Sequence, residues 1–352
     1  MFLPILMAGA GSFALFLATA LVAVQAGMAQ APRIGVVDFY GVRKVSQERL
    51  RKAIVVKEGD PLPRSKGDVE EILEKVPGVV RANLEAACCE DGKAILYVGI
   101  EEKGAPHFDY LPPPSGLLKL PQEIHDEYTQ FLAALGLAVR AGEIEEDLSE
   151  GHSLMRNTGC RKHQERFVSL AETHLDKISA VVRESVDEEH RAIAAYVIGY
   201  APKKPEVMEK VIGHLQHALR DSDDTVRNNA MRSLGAFAVL SARKPEIGLR
   251  IAPTWFIEML DSLIWSDRTT AASVLVTLSE NRDKDLLQRL KERAIEPLRE
   301  MSRWKHLPHA LPSFILLGRI AGMEEEAIRQ AWAQPERITV LDKALKAASS
   351  GK

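Results

Sequence analysis

The residues from which chemistry could start are few. His214 and His217 stand three apart on one helical stretch, with Asp221 just beyond. Two imidazoles at that spacing share a helix face and could grip one cation. A zinc site needs three or four ligands, and no third lies at a useful spacing, so no metal site is expected. His152-Ser153 invites a hydrolase reading. A nucleophile elbow needs a strand before the serine and glycines on both sides, and that combination is missing; a polar loop is expected instead. Cys88-Cys89 ends a strand and Cys160 lies further on. A bridge from one of the pair to Cys160, or a redox pair, is the functional reading; two small strand residues is the plainer one. His306 and His309 flank Pro308 and read as loop histidines. No glycine-rich loop is present to cradle a phosphate, and no cofactor is expected.

The charges that do recur belong to a repeat. Asp223, Arg227, Ala230, Leu234 and Gly235 follow one spacing, and Asp187, Arg191, Ala194, Ile198 and Gly199 follow it upstream. The step between copies is about that of a helical hairpin array, roughly 35–45 residues. Acid and arginine four apart share a helix face, where they could close helix-end amides and bridge to the next repeat. Two weaker copies follow. Asp267, Ala271, Val274, Leu278 and Ser279 keep the spacing without the arginine; Ser313, Leu317 and Gly318 keep only its end. Helices are expected at 164–186, 205–219, 253–264 and 286–301, the last bent by Pro297. The skeleton resembles HEAT repeats and their short relatives. The resemblance implies an all-α stack over 119–350 with a surface for other macromolecules, and it implies that Asp187, Arg191, Asp223 and Arg227 are structural.

Composition argues against a nucleic-acid binder driven by bulk charge. Lys and Arg number 46 against 49 Asp and Glu, a net charge of −3, without the basic excess that nucleic acid demands. Aromatics are 6%, which suits helices packed through Ala, Leu, Ile and Val. No charge precedes Arg33, and residues 1–31 are mostly apolar, ending in Gly27-Met28-Ala29-Gln30-Ala31. This is a signal peptide lacking its basic start, or a membrane anchor. Export is expected, to the periplasm or to a membrane face looking into it.

Residues 33–103 alternate differently. Ile34 to Gly41 reads as a strand, Gln47 to Ile54 and Ser65 to Lys75 as helices, and Val79 to Ala87 and Lys93 to Ile100 as a hairpin. The β-α-α-β-β order, with Lys57-Glu58-Gly59-Asp60-Pro61-Leu62, Pro77-Gly78-Val79-Val80 and Val98-Gly99-Ile100-Glu101, resembles the POTRA domain of cell-envelope proteins. The resemblance implies partner docking by strand addition, here along Val79, Val80, Arg81, Ala82, Asn83 and Leu84. Residues 104–118 carry Pro112-Pro113-Pro114 and read as a semi-rigid linker. The chain is thus expected to be multidomain: a small POTRA-like α+β domain followed by an all-α HEAT-like solenoid. It would serve as a non-enzymatic envelope scaffold for protein partners, the alternative being a helical-repeat lyase or metal-dependent hydrolase.

Overall fold

The computed structural model describes residues 32–90 and 92–350. The leader or anchor expected over 1–31 lies outside the described residues. Among those described, no helix is long and apolar enough to cross a membrane.

Three strands form a mixed sheet in the order β1-β3-β2: β1 (Ile34–Tyr40), β2 (Val79–Glu90) and β3 (Lys93–Glu102). The β1–β3 pair is parallel and the β2–β3 pair antiparallel. Helices α1 (Gln47–Ala53) and α2 (Lys66–Glu74) follow β1 and cover one sheet face. Leu50, Val69 and Leu73 meet Val37, Leu84, Leu96, Val98 and Ile100 there. That half follows from period-2 and period-3.6 patterns. β3, however, is buried on both faces, so the second face is covered as well.

Helices make up most of the remainder. They are α3 (Gln122–Ala141), α4 (Thr158–Thr173), α5 (Leu175–Glu184), α6 (Glu188–Val197), α7 (Pro205–Ala218) and α8 (Asp224–Arg243). Then come α9 (Thr254–Met259), α10 (Trp265–Leu278), α11 (Lys284–Arg293), α12 (Ile295–Met301), α13 (Leu307–Ile320), α14 (Glu325–Trp332) and α15 (Arg337–Ser350). A two-residue ladder, β4 (Glu146–Asp147) against β5 (Leu154–Met155), follows α3.

Two expected helices are broken. The run 164–186 divides at His174, whose φ of −115° leaves the helical well and whose Nε2 lies 2.7 Å from Glu123 Oε1. The run 286–301 divides at Ala294, φ −126°. Pro297 has no N–H and its ring would collide with the carbonyl four residues back, so α12 restarts and places Pro297 in its first turn, where no N–H is needed.

The compact units do not follow the chain. Residues 109–255 and 273–281 form one; residues 32–108, 256–272 and 282–350 form the other. The proline-rich segment is tied down within the first unit. Leu111 N donates to Arg220 O at 2.6 Å, and Gly116 exchanges bonds with Glu184 O and Val186 N. A Cβ on Gly116 would meet Glu184 O at 2.4 Å, so only glycine permits that approach. In the second unit, Tyr97 on the second sheet face stacks on Trp265 with centroids 4.5 Å apart, and Tyr40 Oη donates to Leu263 O at 2.6 Å.

Candidate functional site

The recurring charges hold main chain. Asp187, at the N-cap of α6, accepts from Glu189 N and His190 N at 3.1 and 3.3 Å. Asp223 accepts from Val226 N at 2.9 Å at the head of α8. Both are side-chain caps on orphan helix donors. Arg191, 2% exposed, does not turn to Asp187. Its Nε and Nη2 reach Asp221 at 2.7 and 2.8 Å, and its Nη1 donates to Ser185 O and Val186 O at 2.8 and 3.1 Å. Arg227 donates to Asp221 O and Ser222 O at 2.8 and 3.0 Å, with its guanidinium 4.3 Å over the Tyr110 ring. Each arginine therefore closes carbonyls six and five residues back, and Arg191 also forks onto the next turn.

This rule corrects the third copy. Arg268 Nε donates to Ser262 O, six residues back, at 2.5 Å. The arginine is therefore present and is Arg268, and the copy starts three residues before Asp267, at Ile264. Asp267 instead accepts from Ser262 Oγ at 2.7 Å. The cap position becomes Ile264, which has no acceptor. The carboxylate arrives from the sheet: Glu85 on β2 accepts from Trp265 N at 2.7 Å and Ser266 N at 3.3 Å. Burial pushes Glu85 up to about 7, helped by Asp267 and opposed by those two N–H groups.

The strand Val79–Leu84 lies on the sheet rim, as its place in the order β1-β3-β2 requires, and Val80 is 48% exposed. Arg81 and Asn83 are in register with Glu101 and Gly99 of β3. Ala82 N and Leu84 N donate to Glu74 Oε1 and Glu70 Oε1, at 3.1 and 2.6 Å. The match is geometric. Four residues of helix rise about 6 Å and two residues of strand about 6.6 Å. Two glutamates of α2 thus occupy alternate donors that an added strand would use.

His152 and Ser153 border a cavity with Glu146, Tyr196, Tyr200 and Arg232. Ser153 Oγ donates to the Glu146 carboxylate and accepts from Gln164 Nε2 at 3.0 Å. Arg232 Nη2 lies 3.2 Å from Glu146 Oε2. Tyr200 Oη donates to Ser153 O at 3.0 Å. The serine proton and a lone pair are both engaged. Burial, with the Lys203 ammonium second, pushes His152 down to about 4, too weak for a general base near neutrality. The space there is about 20 Å³, room for about one water. Glu146 and Arg232 were not singled out in sequence. One lies within an acidic run and the other five residues past the repeat arginine Arg227, with no pattern linking them.

The remaining candidates build no metal site among the described residues. His214 Nδ1 accepts from Arg183 Nε at 2.9 Å, so a cation there would have to displace a guanidinium. Among the described residues no three His, Cys, Asp or Glu side chains are grouped as metal ligands. Cys160 is buried and free, so the bridge to it is not formed. His306 precedes α13 at its N-cap position without a side-chain capping bond, whereas His309 is not a loop histidine and lies in the first turn of α13; both are buried, with His309 Nδ1 2.6 Å from Tyr97 Oη.

No family model matches the chain, and no curated protein matches it. Among solved structures it is similar to a designed armadillo repeat protein, at 16% identity and a TM-score of 0.36, over 57% of this chain and 98% of that one. A second likeness is to computationally designed armadillo repeat proteins for modular peptide recognition, at 16% identity and a TM-score of 0.35, over 54% of this chain and 93% of that one. Likeness at these scores carries no argument about function. A small mixed sheet and a long series of packed, repeat-like helices is the architecture on which function must rest.

Proposed function

We propose that the chain is a non-enzymatic adaptor of the cell envelope, exported, with a POTRA-like module (33–103) and a HEAT-like helical region (119–350) that hold protein partners. One observation carries the reading. The charges that recur along the helices, Asp187, Arg191, Asp223 and Arg227, are committed to caps, carbonyls and the next turn. Side chains used in this way build a stack, and stacked helix pairs leave extended surface for a macromolecule. Export rests on the uncharged apolar run before Arg33. Membrane association would come through that same segment.

The docking edge is Val79–Leu84, where an extended partner segment adds a strand. Glu70 and Glu74 have to swing aside for it to form. The test places a photo-crosslinking side chain at Val80 in the full chain and fractionates the cells. A discrete adduct with an envelope protein is expected, several-fold stronger in Glu70→Ala/Glu74→Ala. A chain recovered from the cytosol would remove the export reading. Equal or absent adducts in both forms would remove the docking edge.

A further inference from the structure

The first two repeats carry a capping aspartate at the head of their second helix, Asp187 and Asp223; the third carries Ile264 at that position. We propose that the sheet completes the third repeat in trans, and that the seam between sheet and helices in this unit is a releasable latch. Three carboxylates build it, each on a backbone N–H of the opposing element. Glu85 holds Trp265 N and Ser266 N at the head of α10. Asp38 accepts from Lys305 N at 2.8 Å. Glu300 accepts from Gly41 N at 2.8 Å. A carboxylate at a helix N-terminus is favoured by the orphan donors and the dipole.

The groups facing each carboxylate make the latch responsive. Glu85 is met by Asn83 on its own strand, which donates at 2.8 Å, by Lys66 of α2 and Asp267 of α10, and by Tyr40 of β1. Asp38 faces Lys305, Arg51 and Glu58; Glu300 faces Arg268 and Arg43. Burial outweighs the cations at all three and raises each carboxyl, Glu85 to about 7. A folded carboxyl that keeps its proton to about 7, against 4.5 when open, favours the closed seam in mild acid. The advantage is lost as pH rises through that window. From pH 5 to 8, Glu85 alone would increase the opening constant on the order of 70-fold.

Hydrogen exchange at Trp265 and Ser266, corrected for intrinsic rate and with peptides from 109–255 as internal reference, tests the latch. In the full chain, exchange at these amides should rise tens of fold between pH 5 and 8. Glu85→Gln, which keeps an acceptor without titrating, should flatten that slope. Glu85→Ala should lose protection at every pH, and Ile264→Asp added to it should restore protection by returning the repeat's own cap. A flat wild-type profile, an unchanged slope in Glu85→Gln, or no rescue by Ile264→Asp would each overturn the proposal. If Glu85→Ala does not fold, the slope comparison with Glu85→Gln decides alone.

Discussion

Replacing Arg191 with alanine probes the joint between the first two repeats. The guanidinium makes four bonds of 2.7–3.1 Å, and the pair is nearly dry, its side chains 2% and 7% exposed. Without it, two carbonyls lose a donor. Asp221 retains the 2.9 Å bond from Asp223 N. Breaking one side of a buried pair costs about 3–5 kcal/mol, because a buried charge is left unmatched. Arg191→Lys retains charge but not the fork, and should cost about half as much. Arg191→Met with Asp221→Asn should lose less than the sum of the single changes. The two compact units argue against reading one global curve. The assay is therefore exchange of peptides spanning 187–219 in increasing urea, which reports local opening. A loss below about 1 kcal/mol in Arg191→Ala would refute the view that this fork joins the repeats.

Two further outcomes follow from the same unit. Desolvation pushes the partly buried Lys203 down to about 7, although its Nζ donates to Gly199 O and Ala201 O at 2.8 Å. The opened chain then binds the extra proton between about 7 and 10.5, so local stability should rise with pH from 7 to 9; Lys203→Met should remove that rise in hydrogen exchange of peptides around 196–212, corrected for intrinsic rate. Gly199→Ala would bring a Cβ within 2.5 Å of Ser233 Oγ and 3.0 Å of its Cβ. Overpacking there should cost about 1–3 kcal/mol, and exchange of peptides spanning 187–219 unchanged from wild type would contradict the close approach.

Local pattern was legible in the sequence. The strand and helix order of 33–103, the caps at Asp187 and Asp223, and the helical character from 119 onward follow from periodicity and capping rules that act within a few residues. Breaks were legible only in part. Pro297 signalled trouble in its helix, but a proline that bends and one that restarts a helix look alike until the carbonyl four back is placed. His174 gave no signal, because its partner Glu123 is 51 residues away.

Partnership across the chain belonged to tertiary structure. Period-2 alternation assigns Tyr40, Glu85 and Tyr97 to one sheet face, but not what covers it. In the fold they meet Leu263, Trp265 and Ser266. The third repeat was misaligned because Asp267 stood near the expected acid, and only the Arg268 bond to Ser262 O set its register. A cap supplied from 180 residues away leaves no trace in local spacing. A helix donor is satisfied by whatever acceptor lies within about 3 Å, and distance along the chain does not enter that condition.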